Sequence, residues 1–187
     1  MKDFVDYIQS IHPLSKPAID ALLEICVVAP YKKNEIVQDI GQSCKTIFFI
    51  RKGALRIFYF KGETDITESM EFENAFVARV ESLVTGEPSK KGIQALEESE
   101  LIAINASKLE QLYDQHLDLE RLFKKIFVSA FVGIIHRIES IQFHSAEIRY
   151  SNFLKEHPDV LMRVPLKYIA SYLGITQVSL SRIRSKH

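Results

Sequence analysis

The sequence predicts an α+β chain, and three observations carry that prediction. Residues 27–104 hold short apolar runs broken by turn residues, residues 118–143 repeat apolar side chains with a helical period, and two short helices close around Gly174. With 187 residues, 47% hydrophobic and 26% charged, the chain can bury a core and has none of the bias of a fibrous or disordered protein.

Ser15 is placed to cap a first helix, a short leader or lid, in which Pro17 is tolerated in the opening turn and Ile19, Leu22 and Leu23 share a face. Residues 47–50 and 54–60 flank Lys52-Gly53 and read as a β-hairpin, with Gly53 supplying a positive φ and Gly62 closing the next strand in the same way. Ile66, Met70 and Phe72 alternate with Thr67, Glu71 and Glu73, which predicts a strand with one dry and one wet face. Several such strands imply a sandwich or barrel. Ser107 and Glu110 have capping-box spacing and predict the start of a helix carrying Leu109, Leu112 and Tyr113.

From Asp118 onward, Leu119, Leu122, Phe123, Ile126, Phe127, Ala130, Ile134, Ile138 and Ile141 recur every three or four residues. The stripe is wide, and Ala130 and Gly133 would let another helix approach closely. A dimer interface of Phe123, Ile126, Phe127, Ala130, Ile134, Ile138 and Ile141 is one reading; packing on the β region is the other. Ser145 predicts a further cap, for a helix holding Ile148, Phe153 and Leu154 that stops before Pro158.

Other chemistry lacks its residues. The longest apolar run, 127–135, is too short to span a bilayer, and acids at positions 3 and 6 argue against an export signal, so a cytoplasmic protein without a membrane partner is expected. Cys26 and Cys44 read as two buried thiols, and the six histidines form no metal-binding pair. No nucleophile-elbow, P-loop or dinucleotide motif occurs, and a cupin-like metal enzyme would need histidines within 27–104, where there are none. No enzyme, metal or cofactor is expected.

The net charge of zero hides an asymmetry. No acid follows Asp159, whereas Arg163, Lys167, Arg182, Arg184 and Lys186 give the end a charge of +5. A basic end on an acidic body suits a polyanion. Within 165–184, Ala170, Gly174, Leu180 and Ile183 have helix-turn-helix spacing: a small residue where helices cross, a glycine at the turn, and Ile169, Leu173 and Ile175 completing the inner faces. Thr176 caps the second helix. Gln177, Ser179 and Arg182, with Ser181 nearby, are expected to reach base edges, and Lys167, Arg184 and Lys186 to reach phosphates.

A β-rich region, a long amphipathic helix and a terminal helix-turn-helix, in that order, resemble the Crp/Fnr family of transcription regulators over nearly the whole chain. Gly53 and Arg56 match the family's hairpin motif, and 166–184 match its DNA-reading helices. The resemblance implies a double-stranded β-helix (jelly roll) sensor at 1–117, a dimerisation helix at 118–143 and a DNA-binding domain at 144–187. It further implies a homodimer on a two-fold double-stranded DNA operator, with RNA polymerase as a further partner and an unknown effector. The ligand region would be Phe76, Val77, Ala78, Arg79, Gly86, Ser89, Lys90 and Lys91. Cyclic-nucleotide binders of the family carry a glutamate for the ribose and an arginine for the cyclic phosphate. Here Arg79 and Ser89 stand in those places, and neither can do that work. Cyclic AMP or GMP is therefore not the expected ligand. An anion held by Lys90 and Lys91, or a degenerate sensor, remains. The family's winged hairpin is expected to be missing, since only 160–164 precede the helix-turn-helix. The alternative function is a ligand-binding module whose helical hairpin docks a protein partner.

Overall fold

The computed structural model describes residues 1–185. Two helices, α1 (Lys2–Ile11) and α2 (Lys16–Glu24), precede the first strand. Ser15 caps α2 as predicted, accepting from the Ala18 amide. Helix α1 was not foreseen: it has no side-chain cap, and it forms because Phe4 and Ile8, one turn apart, are both fully buried. The Phe4 ring lies 4.9 Å from that of Phe49.

Among the described residues, eight strands form two four-stranded antiparallel sheets. One runs β1 (Cys26–Tyr31), β8 (Ser99–Asn105), β3 (Thr46–Lys52), β6 (Phe76–Val77); the other runs β2 (Ile36–Gln38), β7 (Gly92–Ala95), β4 (Leu55–Lys61), β5 (Thr64–Glu71). Phe48, Ile50, Leu55, Ile57, Ile93 and Leu101 fill the space between them, and the whole is a jelly roll. The hairpin predicted at Lys52-Gly53 is not one. Strands β3 and β4 lie in different sheets, and Gly53 (φ +100°) carries the chain across the end of the roll. The true hairpin is β4–β5, turned by Gly62 at φ +60°.

Strand β5 also departs from strict alternation. Its register against β4 shifts between Ile57 and Phe58, which makes Glu68 the extra residue of a bulge. Thr67, expected on a wet face, is 2% exposed because a C-terminal helix covers it.

Helix α3 (Val80–Thr85) follows β6, and α4 (Ala106–Tyr113) follows β8. The cap of α4 is Asn105, which accepts from the Lys108 amide, and not Ser107; of two capping residues two apart, the chain uses the one that ends β8. Helix α5 (Leu117–Phe143) is the long helix, followed by α6 (Ala146–Glu156), α7 (Val160–Arg163), α8 (Leu166–Tyr172) and α9 (Gln177–Arg184). Ser145 caps α6 as expected.

Phe123, assigned from sequence to the dimer interface, belongs instead to the chain's own core. It is 1% exposed, with its ring against Phe76 and Tyr113, because the first turns of α5 lie on α1, α4 and the outer face of the first sheet. Ile126 packs partly on the same cluster. Beyond it, Phe127, Val128, Phe131, Val132, Ile134, Ile135, Ile138 and Ile141 are all exposed.

By length and composition α5 could cross a membrane, contrary to the reading of the 127–135 run alone. The packing argues otherwise. A spanning α5 would put the roll and the C-terminal helices on opposite sides of a bilayer, whereas the two are packed together. Met70, Phe72 and Leu96 of the roll share one core with Tyr150, Phe153, Tyr168, Ile169, Leu180 and Ile183.

Candidate nucleic-acid interface and ligand pocket

Helices α8 and α9 are two short helices joined by a turn, with the burial expected of them. Ala170, Ile169, Leu173, Leu180 and Ile183 are buried, and Gly174 turns the chain at φ +70°, where a left-handed residue lets α8 end and α9 leave at a new angle. Thr176 caps α9 through its hydroxyl, which accepts from the Ser179 amide at 3.1 Å.

The structure sorts the predicted DNA contacts. Gln177, Ser181, Arg182 and Arg184 are exposed on α9, Thr176 is exposed at its start, and Lys167 is exposed on α8. Lys186 lies outside the described residues. Ser179 does not face outward as expected: it is half-buried, with its hydroxyl 3.0 Å from that of Thr176. At ~100° per residue it falls beside the buried seam. Val178, not among the expected contacts, is 62% exposed on the outer face. The helical period alone places Val178 outward and Ser179 beside the seam, whatever their polarity.

Three sets of contacts fix this unit against the rest of the chain. From α5, Arg137 stacks on the Tyr172 ring at 3.9 Å and donates to the Tyr172 carbonyl, while Arg149 of α6 donates to the Leu173 carbonyl at 2.8 Å. Two guanidinium groups thus satisfy the free carbonyls at the end of α8. Arg163 bridges Glu97 and Glu73 of the roll, each at 2.6 Å. Across the second sheet, Arg56 is held bidentately by Asp65 and lies 3.8 Å from the Tyr168 ring centroid, and the Thr67 amide donates to Ser171 Oγ at 2.8 Å. None of these tethers was legible in the sequence, because each joins residues at least 24 positions apart except the Arg56–Asp65 pair.

The predicted ligand region does not converge on one cavity. Phe76 and Ala78 pack into the core beneath α1, and Val77 into the core between the sheets. Gly86 ends α3 in a left-handed conformation. Lys90 is exposed, and the buried Ser89 hydroxyl is spent locally, donating to the Lys91 carbonyl and accepting from its amide. Only Arg79 and Lys91 come together, and what they hold is a carboxylate of the chain itself. Glu68 lies 2.5 Å from Lys91 Nζ and 3.7 Å from Arg79 Nη1. The bulge in β5 presents it there. Lys91 is engaged by hydrogen bonding to Glu68, whereas Arg79 only faces its charge and keeps Nε buried without a hydrogen-bond partner.

Nearby, Glu71 pairs in register with the fully buried Leu55, so both side chains lie on one face of the sheet. Burial pushes the Glu71 carboxyl up to about 7. A carboxyl raised in the folded state favours folding when protonated. Its contribution is present below about pH 4.5 and is lost as pH rises through about 7, by up to about 1.4 kcal/mol per unit. Urea unfolding between pH 5 and 8 should therefore show stability falling with pH, and Glu71→Gln should flatten the curve; an unchanged slope would place the titrating group elsewhere. The Cys26 thiol, pushed up to about 12 by burial, is no nucleophile at neutral pH.

The family model described as cyclic nucleotide-binding domain matches residues 28–116. FixK2 from Bradyrhizobium japonicum superposes with a TM-score of 0.75 at 16% identity, covering 87% of this chain and 84% of FixK2. A protein of Eubacterium rectale assigned to the Crp/Fnr family of transcriptional regulators gives 0.71 at 18% identity, over 91% and 82% of the two chains. The chain has the Crp/Fnr fold. The catabolite activator protein of Thermus thermophilus extends the likeness, with a TM-score of 0.58 at 15% identity over 94% of this chain and 84% of that one. No curated protein matches the sequence. On the Crp/Fnr fold, the departures noted above at Arg79 and Ser89 fall within the matched domain, beside the internal Glu68 clasp.

Proposed function

We propose that the chain is a homodimeric, sequence-specific DNA-binding regulator of transcription in the cytoplasm, with a sensor domain at 1–117, a dimerisation helix at 118–143 and a DNA-binding region at 144–187. It works without cyclic AMP or GMP. The observation that carries this reading is the outer face of α9: exposed, capped, rigidly braced, and carrying Gln177, Ser181, Arg182 and Arg184 with no acid anywhere after Asp159. A helix of this kind fits a major groove. The exposed apolar face of α5 supports pairing with a second copy, and the Glu68 clasp on Arg79 and Lys91 supports indifference to cyclic nucleotides. RNA polymerase is the further partner such a regulator would engage.

Selection from a random duplex library at fixed salt, without nucleotide, tests the reading. Enrichment of a two-fold site with half-sites about one helical turn apart supports it. A folded dimer that enriches nothing, with or without cyclic nucleotide, would overturn it in favour of a protein-docking module. On the selected site, Arg182→Ala should cost about 1–3 kcal/mol and relax one position per half-site. Arg184→Ala should instead weaken all sequences alike and lower the salt slope by about 0.9 per lost phosphate contact. Two variants that bind like the parent would remove α9 from the groove.

A further inference from the structure

Val178 is the one large apolar side chain exposed on α9. Single exposed apolar residues are ordinary on protein surfaces, so exposure alone says little; position says more. Leu180 and Ile183 define the buried seam of α9, and at ~100° per residue Val178 falls almost diametrically opposite the midpoint between them. Ser181 and Arg182 flank it on the same face, one turn further on, and all three are exposed. Gln177 and Ser179 lie off to either side. Val178 is therefore the centre of the surface that α9 offers a partner, placed in the first turn, and its methyl groups have no apolar neighbour on α9 to pack against.

The major groove presents one apolar feature, the 5-methyl group of thymine, and contact between it and a small aliphatic side chain distinguishes thymine from cytosine. Valine has neither donor nor acceptor and so cannot read any other base edge. Taken with the DNA-binding reading, on which this inference rests, we infer that Val178 is a specificity-determining residue that selects thymine through its 5-methyl group. Arg182, four residues on, is ~6 Å further along the helix axis, so the thymine and the base read by Arg182 lie within about two base steps.

Deoxyuridine supplies the test, because it keeps every hydrogen-bonding edge of thymine and lacks only the methyl. On the site selected by the full-length chain, each thymine is replaced in turn by deoxyuridine and the affinity measured for the parent and for Val178→Ala, with circular dichroism to check that the exposed substitution leaves the fold intact. Removing one buried methyl group is expected to weaken the parent about fourfold per half-site at one thymine. Val178→Ala should bind the thymine site about as weakly as the parent binds the deoxyuridine site, and should respond little to the replacement. A parent indifferent to deoxyuridine at every thymine, or a variant that keeps the full response, overturns the role of Val178 while leaving DNA binding intact. A parent that selects no duplex at all overturns the proposed function, and this inference with it.

Discussion

Gly53→Ala should destabilise the chain by about 3–5 kcal/mol, the largest stability loss expected of any single methyl group added to it. Two costs combine. The residue sits at φ +100°, where a side chain is strained by about 1–3 kcal/mol. A Cβ there would also stand 2.7 Å from Ser99 Cβ and 2.8 Å from Ser99 Cα, and the second of these is backbone of β8, which cannot swing aside. The Gly53 amide meanwhile donates at 2.9 Å to Glu73, the carboxylate that also holds Arg163, so displacement of the turn would reach the C-terminal helices. Gly41→Ala is the control: its φ is +85°, but nothing lies within 4 Å of its Cβ, so only the strain should appear. Urea midpoints for the two variants separate the contributions. Equal losses would refute the close approach, and adding Ser99→Gly to Gly53→Ala should recover only part of the stability, because the Ser99 Cα remains.

Phe131→Glu should convert a dimer into a monomer without destabilising the protomer. Phe131 is 62% exposed and Ile134 58%, in the middle of a face that also carries Val128, Ile135 and Ile138. Burying each such side chain against a second copy contributes roughly 1.5–3 kcal/mol before the costs of association. A glutamate in their midst, repeated by symmetry, brings two carboxylates into a desolvated contact. The expected result is a dimer dissociation constant raised at least about 100-fold by sedimentation, with thermal unfolding of the monomer unaltered. Affinity for a two-fold site should fall in parallel, since the second half-site no longer binds at the effective concentration that linkage provides. A Phe131→Glu chain that stays dimeric would move the interface off α5, and a parent that is monomeric at micromolar concentration would leave the apolar face without its proposed partner.

How far the sequence could be read depended on whether a signal was local. The caps at Ser15, Ser145 and Thr176, the turn at Gly174 and the course of α5 each depend on residues within a turn or two of one another, and each was legible. An apolar run, a glycine and another apolar run look alike whether the strands pair or part into opposite sheets. Only the pairing of β3 with β8 and β4 with β5 decides it, so Gly53 was misread. Phe123 carries the same periodic signal as Phe127, yet one is buried and the other exposed, because the neighbours that end the covered stretch come from α1 and α4. Within the candidate sites, the expectation that Arg79 and Ser89 stand where nucleotide binders carry their ligand pair came from the family resemblance and not from any local signal. That Glu68 would meet Arg79 and Lys91 was not legible, because it required a bulge whose existence depends on the register with β4.

The core that Met70, Phe72 and Leu96 share with Tyr168, Ile169 and Leu180 makes the C-terminal helices and the jelly roll a single mechanical body. A tethered reader hangs on a flexible strap and samples many orientations before it meets its site. Here α8 is bolted to the outer wall of the roll, and α9 inherits its bearing from that wall. On the proposed DNA-binding reading, two such bodies joined along α5 would present their α9 helices at a fixed separation and angle, like the jaws of a caliper set before measurement, and the spacing of the half-sites would be gauged by the sheets of the roll as much as by α9.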